Sequence, residues 1–318
     1  MTLALLGALC AVVAALWLTE EVKAPGSLAV EKLVYIEPGS SVRAITAKLL
    51  DAGAIQNDLA FLIDARLQNR EEELKAGEYK FPPGISIREI IALLQSGKTY
   101  QRKITIPEGL TATEILGLLN GEPVLTGTLS DLPAEGSLLP ETYNFSYGDA
   151  RQDILGRMKK SMRETLSALW EKRAAGLPLK TTEEAVVLAS IVEKETGVAG
   201  ERPRVAGVFI NRLNRGIPLQ SDPTVIYALT QGREKLDRPL TTKDLKTPSA
   251  YNTYVVTGLP PSPIANPGRA SLAAVLNPEE NDYIYFVADG AGGHVFSRTL
   301  EEHNGNVARW RKLRKNAR

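Results

Sequence analysis

The sequence predicts an α+β chain in which an N-terminal transmembrane helix is followed by a small strand–helix module and a larger mixed α+β domain. Three observations predict this. An uncharged apolar run extends from Leu3 to Leu18, a strand–glycine–helix phrase occurs three times in the first part of the chain, and the second half alternates helix patterns with proline-bearing loops. At 318 residues, with 43% hydrophobic and 24% charged, the chain can bury a sizeable core and divides into two or three domains.

The apolar run LALLGALCAVVAALWL approaches the length of about 20 residues that a membrane-spanning helix needs, and Met1 and Thr2 extend it while Trp17 suits a membrane interface. No small-x-small cleavage site follows it, so a retained anchor over residues 1–19 is expected in place of a removed signal peptide. No basic residue precedes the run, so flanking charge does not set its orientation. Residues 20–33, with Pro25-Gly-Ser27, read as a juxtamembrane linker.

The repeated phrase comes next. Glu37-Pro-Gly39, Phe81-Pro-Pro-Gly84 and Ile106-Pro-Glu-Gly109 each follow an extended apolar segment. Each glycine precedes an isoleucine by six residues, and a leucine follows four later: Ile45 and Leu49, Ile90 and Leu94, Ile115 and Leu119. The spacing predicts strand, glycine turn, then a helix with i, i+4 apolar contacts. Ser40, Ser41, Ser86, Thr111 and Thr113 are the candidate N-caps or cap neighbours. Asp58 to Leu67 reads as a further helix and Gly77 to Phe81 as a returning strand. The units at 34–100 form a compact module, 101–150 is a connecting α/β segment, and 151–318 is the larger domain.

Composition excludes several functions. Lys and Arg number 38 against 37 Asp and Glu, a net charge of +1 that gives no global field for nucleic acid, and no nucleic-acid partner is expected. The single cysteine, Cys10, lies in the apolar run, so a disulfide framework, a cysteine metal site and a thiol nucleophile are ruled out for the folded body. His294 and His303 alone cannot build a multi-histidine metal site, and no metal or cofactor is expected. A serine hydrolase is disfavoured because no G-x-S-x-G phrase occurs.

The phrase Leu188-Ala-Ser-Ile-Val-Glu193-Lys-Glu195-Thr-Gly197 carries the most chemistry, because it sets carboxylates in an apolar helix pattern. Burial keeps such an acid protonated near neutral pH. Thr181-Thr-Glu-Glu184 matches a capping box at the start of this helix, and Gly197 can end it. Glu193 and Glu195 are two residues apart and point about 200° from each other, so they cannot share one face. Periodicity leaves both open: Glu193 stacks on Ala189 and Val186, and Glu195 on Ile191 and Leu188.

Other candidates lie in loops stiffened by Pro223, Pro248 and Pro260: Gln220, Asp222, Tyr251, Asn252 and Tyr254 offer polar groups that could orient a bound ligand. Asp222 also suits an N-cap for a helix from Thr224 to Leu229. Asn211 falls in a helix pattern from Val205 to Leu213 and is a candidate partner of the acid. Gly258 to Gly268 reads as a rigid cleft wall, and Gly290 to His294 as the turn of a hairpin joining Tyr283–Ala288 to Val295–Ser297. The basic cluster from Trp310 to Arg318 reads as a solvated helix end.

Taken in order, these phrases carry a family resemblance. Glu135-Gly-Ser-Leu-Leu-Pro140-Glu-Thr-Tyr143, LASIVEKETG, Val208-Phe-Ile-Asn211-Arg-Leu, Leu219-Gln-Ser-Asp-Pro-Thr-Val-Ile-Tyr227, Ala250-Tyr-Asn-Thr-Tyr254, Gly258 to Gly268 and Tyr285 to His294 resemble the YceG-like endolytic murein transglycosylases. Val34-Tyr-Ile-Glu-Pro-Gly39 with Leu74-Lys-Ala-Gly-Glu-Tyr79 is similar to that family's LysM-like region. The resemblance implies a lyase reaction on the β-1,4 bond between N-acetylmuramic acid and N-acetylglucosamine. One glutamate serves as acid and then base and leaves a 1,6-anhydro end. It implies Glu193 as that glutamate. It also implies a single-pass protein of the bacterial cytoplasmic membrane with its catalytic body outside, peptidoglycan strands as substrate, and cell-wall synthases as partners. A non-catalytic peptidoglycan-binding or scaffolding protein of the wall-synthesis machinery is the alternative.

Overall fold

The computed structural model describes residues 2–67 and 73–316. Met1 at the head of the anchor, residues 68–72 of the small module, and Ala317 and Arg318 of the basic cluster therefore lie outside the described residues. The chain is mixed α+β and forms two compact units, one of residues 1–103 with 144–149 and the other of residues 104–143 with 150–318.

The first unit opens with α1 (Thr2–Lys23), whose residues from Leu5 onward are long and apolar enough to cross a membrane by length and composition. The helix runs on past residue 19, through four residues expected as linker. At its far end Leu18 and Val22 are buried against the core of this unit, while Thr19, Glu20 and Lys23 are exposed. Strand β1 (Lys32–Ile36) then leads into α2 (Val42–Asp51), and α3 (Asp58–Leu67) precedes β2 (Gly77–Phe81) and α4 (Ile87–Ser96). β1 and β2 pair antiparallel with Val34 opposite Tyr79. Alternation along the strands turns Val34, Ile36, Tyr79 and Phe81 onto α2 and α4, where Ile45, Leu49, Ile90 and Leu94 are buried. The buried Tyr79 hydroxyl is satisfied by the Lys75 carbonyl at 2.8 Å.

The repeat has a common cause in all three copies. Gly39, Gly84 and Gly109 adopt φ of +78°, +70° and +76°, a region open to glycine without steric cost. Two residues after each, a hydroxyl caps the helix: Ser41, Ser86 and Thr111 accept from the backbone N–H of Ala44, Glu89 and Glu114. Ser86 and Thr111 have the full reciprocal capping box. The third copy, β3 (Arg102–Thr105) followed by α5 (Ala112–Gly121), places its helix in the second unit. β3 forms a two-stranded sheet with β4 (Thr142–Phe145), and the chain leaves the first unit along β3 and re-enters it along β4.

In the second unit, α6 (Arg151–Glu171), α8 (Arg202–Asn214) and α10 (Arg269–Leu276) surround α7 (Thr182–Glu195). Eight consecutive residues of α7, Ala185 to Val192, are buried, so the helix has no solvent face for most of its length. Thr181 caps it by accepting from the Glu184 N–H, but Glu184 accepts from the Lys180 N–H and not from Thr181, so the expected capping box is only half made. α7 ends at Glu195 with Thr196 as its C-cap, one residue short of Gly197. α9 (Asp222–Thr230), the hairpin of β5 (Tyr285–Ala288) and β6 (His294–Ser297), and α11 (Leu300–Asn316) complete the unit.

Candidate active site

The carboxyl end of α7 is where the candidate residues meet. The two glutamates diverge there as helix geometry requires. The Glu193 side chain is only 5% exposed and is fully engaged. Arg202 at the start of α8 donates to Oε1 at 3.3 Å, and the Gly268 N–H donates to Oε2 at 2.9 Å. Arg202 also reaches Glu108 at 3.3 Å. Glu193 thus braces α7 against α8 and the proline-rich loop. Glycine at 268 leaves room for the Glu108 carboxylate, which a Cβ there would overlap.

Glu195 faces the other way, into a cavity of about 450 Å³ that Gln220, Asp222 and Tyr254 also line. Ser221 donates to its Oε1. Burial pushes its acid up to about 7, Asp222 nearby adds to that, and the Ser221 hydroxyl with the charges of His294 and Arg212 oppose it. Its position at the last residue of a helix acts in the same direction as burial, because the negative end of the helix dipole disfavours a carboxylate. A carboxylic acid poised near neutral pH can donate a proton and accept one back.

Three expected residues share this cavity. Asp222 accepts from the Tyr254 hydroxyl at 2.7 Å, and burial and the Asp222 charge push that phenol well above its ordinary range. Asp222 is not the N-cap of α9: Ser221 holds that position, and Asp222 takes the first helical position with Pro223 next. This frees its carboxylate for Tyr254. Gln220 has φ +50°, a sparsely populated conformation for a residue with a side chain, and its N–H bonds the Thr253 carbonyl at 3.0 Å. Strain of this kind persists where surrounding structure enforces it, and here Gln220 lines the cavity with its Oε1 accepting from Arg212 at 3.4 Å.

The remaining expected residues are used elsewhere. Asn252 is fully buried, with its amide on the Leu245 and Thr247 carbonyls and its oxygen accepting from the Tyr254 N–H, so it holds the loop that presents Tyr254. The Tyr251 hydroxyl pairs with Ser262 at 2.6 Å, and its ring packs against Tyr227. Asn211 does not meet the acid: its amide donates to the Asn281 and Tyr283 carbonyls at 2.8 and 2.9 Å, pinning the chain ahead of β5. A further buried acid, Glu135, is also pushed up to about 7 by burial. It accepts from the Ala112 N–H and the Asn266 amide, and so stitches the start of α5 to the proline-rich loop.

Arg212, His303 and Asn304 were not anticipated. Arg212 is 7% exposed and donates to the Ile284, Pro218 and Leu219 carbonyls at 2.7, 3.1 and 2.9 Å, with its plane over the Tyr285 ring. It fixes the backbone on both sides of the cavity and brings a positive charge close to Glu195. Its signal in the sequence is an arginine in the apolar stripe of α8, after Val205 and Val208. His303, from α11, stacks on Tyr285 with ring centroids 5.0 Å apart; burial and the nearby Arg212 lower its proton affinity, favouring the neutral imidazole. Asn304 lines the cavity beside it.

A family model described as the YceG-like family matches residues 34–309. An endolytic murein transglycosylase of Bacillus subtilis is 35% identical over 306 residues, covering 85% of this chain and 82% of that protein. One from Streptococcus pneumoniae is 30% identical over 322 residues, covering 86% of this chain but 57% of its own length. The crystal structure of a YceG-like protein of Listeria monocytogenes matches with a TM-score of 0.51 at 33% identity, over 86% of this chain and 98% of that one. A match through both units, including the segment that carries Glu195, Gln220, Asp222 and Tyr254, means that the chain belongs to the YceG-like family.

Proposed function

We propose that this chain is a membrane-anchored endolytic murein transglycosylase and that Glu195 is its acid and base. The observation that carries the reading is a single desolvated carboxylic acid in a polar cavity, supported by the activity for which its relatives are named. The resemblance nominates Glu193, whereas position in the cavity and the absence, among the described residues, of a paired cation favour Glu195, with Glu193 held by Arg202 as the brace of α7.

In the proposed reaction the protonated Glu195 gives its proton to the oxygen between a muramyl and a glucosaminyl residue. The resulting carboxylate takes a proton from the muramyl 6-hydroxyl, which closes on the anomeric carbon. No water is consumed, and one carboxyl group completes the cycle. Asp222, tied to Tyr254, keeps Glu195 protonated in the resting site. The Gln220 amide and the Asp222–Tyr254 pair are the polar groups available to orient the sugar as positive charge develops at its ring. α1 serves as the membrane anchor, and the β1–α4 module serves as a LysM-like grip on the strand near wall synthases.

Product analysis tests the reading. The full-length protein in detergent, incubated with purified uncrosslinked glycan strands, is expected to release fragments ending in anhydromuramic acid from strand interiors. These weigh one water less than hydrolytic products. Hydrolytic ends, or binding of strands without release, would refute it.

A further inference from the structure

A second cavity, of about 580 Å³, is lined by chain neighbours of residues that line the first. The two share no lining residue, yet each takes one member of two consecutive pairs. Lys194 and Pro223 line the larger cavity, Glu195 and Asp222 the smaller. Neighbouring Cα atoms lie about 3.8 Å apart, so the end of α7 and the start of α9 contribute to the walls of both spaces.

The larger cavity has an apolar floor and a cationic rim. Ile226 and Tyr227 of α9, with Ile264 of the proline-rich loop, form the floor. At the rim Lys194 donates to the Gly109 carbonyl at 3.1 Å, while Arg233 and Lys235 are exposed and, among the described residues, hold no ion pair or side-chain hydrogen bond. Of the two acids there, Glu114 is committed to capping α5 through the Thr111 N–H, and Glu234 is exposed. The loop that presents Arg233 is fastened. Thr111 donates to the Gly232 carbonyl at 2.8 Å, and Gly232, at φ +66°, leaves room for the Tyr227 ring where a Cβ would come within 2.9 Å. Cations set over an apolar floor in a cavity of this size suit a short peptide bearing carboxylates.

In murein each muramyl residue carries such a peptide on its lactyl ether, so a muramyl unit held at Glu195 extends an acidic chain from a point beside this second space. We propose that the larger cavity binds the acidic stem peptide of the muramyl unit undergoing cleavage. The proposal rests on the reading of Glu195 as the acid of a murein transglycosylase. It makes the protein selective for strands that still carry their peptides, through contacts that the sugar backbone alone cannot supply.

The test compares peptide-bearing strands with strands stripped by an amidase, both cleaved by the full-length protein. The wild type is expected to cleave peptide-bearing strands with the higher kcat/KM, and R233E/K235E to lower the ratio of the two rates about tenfold by reversing the charges the stem carboxylates meet. Cleavage of the stripped strands reports that the variant is folded. Equal wild-type rates on both strands, or a variant that loses both rates in the same proportion because its cations serve the sugar backbone, would overturn the proposal. Absence of anhydro ends from either substrate with the wild type would overturn it together with the reading on which it rests.

Discussion

Replacing Glu195 by glutamine should make the fold more stable at alkaline pH while removing activity. A carboxyl group with an ordinary value of 4.5 is pushed up to about 7 in the folded chain, and each unit of pH between those values is worth about 1.4 kcal/mol. The folded state holds this proton more tightly than the unfolded one. Below pH 4.5 the acid is neutral in both states and costs nothing. As pH rises towards 7 the unfolded chain ionises and the folded one does not, so stability is lost progressively. The full penalty approaches about 3 kcal/mol above pH 7 as an upper bound, and relaxation around the charge leaves about 1–2 kcal/mol as the expected gain in the variant. Glutamine keeps an oxygen that can accept from Ser221, so the comparison isolates the charge. Urea unfolding of wild type and Glu195→Gln, followed through tryptophan fluorescence at pH 5, 6, 7 and 8, measures it. The curves should converge at acid pH and separate as pH rises. A constant difference across that range would mean that Glu195 titrates like a solvated glutamate, and the acid assignment would fall.

The same proton sets the rate profile: kcat/KM should decline as pH rises through about 7, where the protonated acid is lost. Ser221→Ala should move that decline upward, because the Ser221 hydroxyl favours the carboxylate; a downward move would contradict the geometry. Glu193→Ala should cost about 2 kcal/mol of stability by removing the more buried of the two partners of Arg202 and the acceptor of the Gly268 N–H, and a thermal scan showing no loss would argue against the brace. Gln220→Gly should stabilise the fold by about 1 kcal/mol through relief of its positive φ while lowering activity by removing a lining amide. A stable variant with unchanged kcat/KM would show that the amide serves no purpose in the cavity.

Much of the local architecture was legible in the sequence because it depends on short-range chemistry. A glycine at positive φ, a hydroxyl two residues on and an i, i+4 apolar pair specify the same turn and helix in each copy of the repeat, and all three copies form as the spacing predicts. The choice between Glu193 and Glu195 was not legible. Both lie just beyond the buried run from Ala185 to Val192 of α7, so each has apolar residues one and two turns back. Only the partners brought by α8, α9 and the proline-rich loop tell them apart. Asn211 and Asn252 show a related ambiguity, since a polar side chain in a motif can serve substrate or satisfy buried carbonyls, and both are occupied with carbonyls. His303 and Asn304 reach the cavity through long-range packing of α11 that no local pattern encodes, whereas Arg212 shows in the sequence only as an arginine in the apolar stripe of α8. The role of the third repeat was equally hidden: Gly109 meets Lys194, and Thr111 meets Gly232, across 85 and 121 residues of chain.

The central claim is that Glu195, and not Glu193, moves the proton. Its most direct test is the rate at which Glu195→Gln and Glu193→Gln release anhydro-ended fragments from the same purified strands at one pH, each variant first shown to be folded. Glu195→Gln should lose at least about a hundredfold. Glu193→Gln, which keeps an acceptor for the Gly268 N–H, should stay within about tenfold of wild type. The opposite pattern, an active Glu195→Gln beside an inactive Glu193→Gln, would return the catalytic role to Glu193.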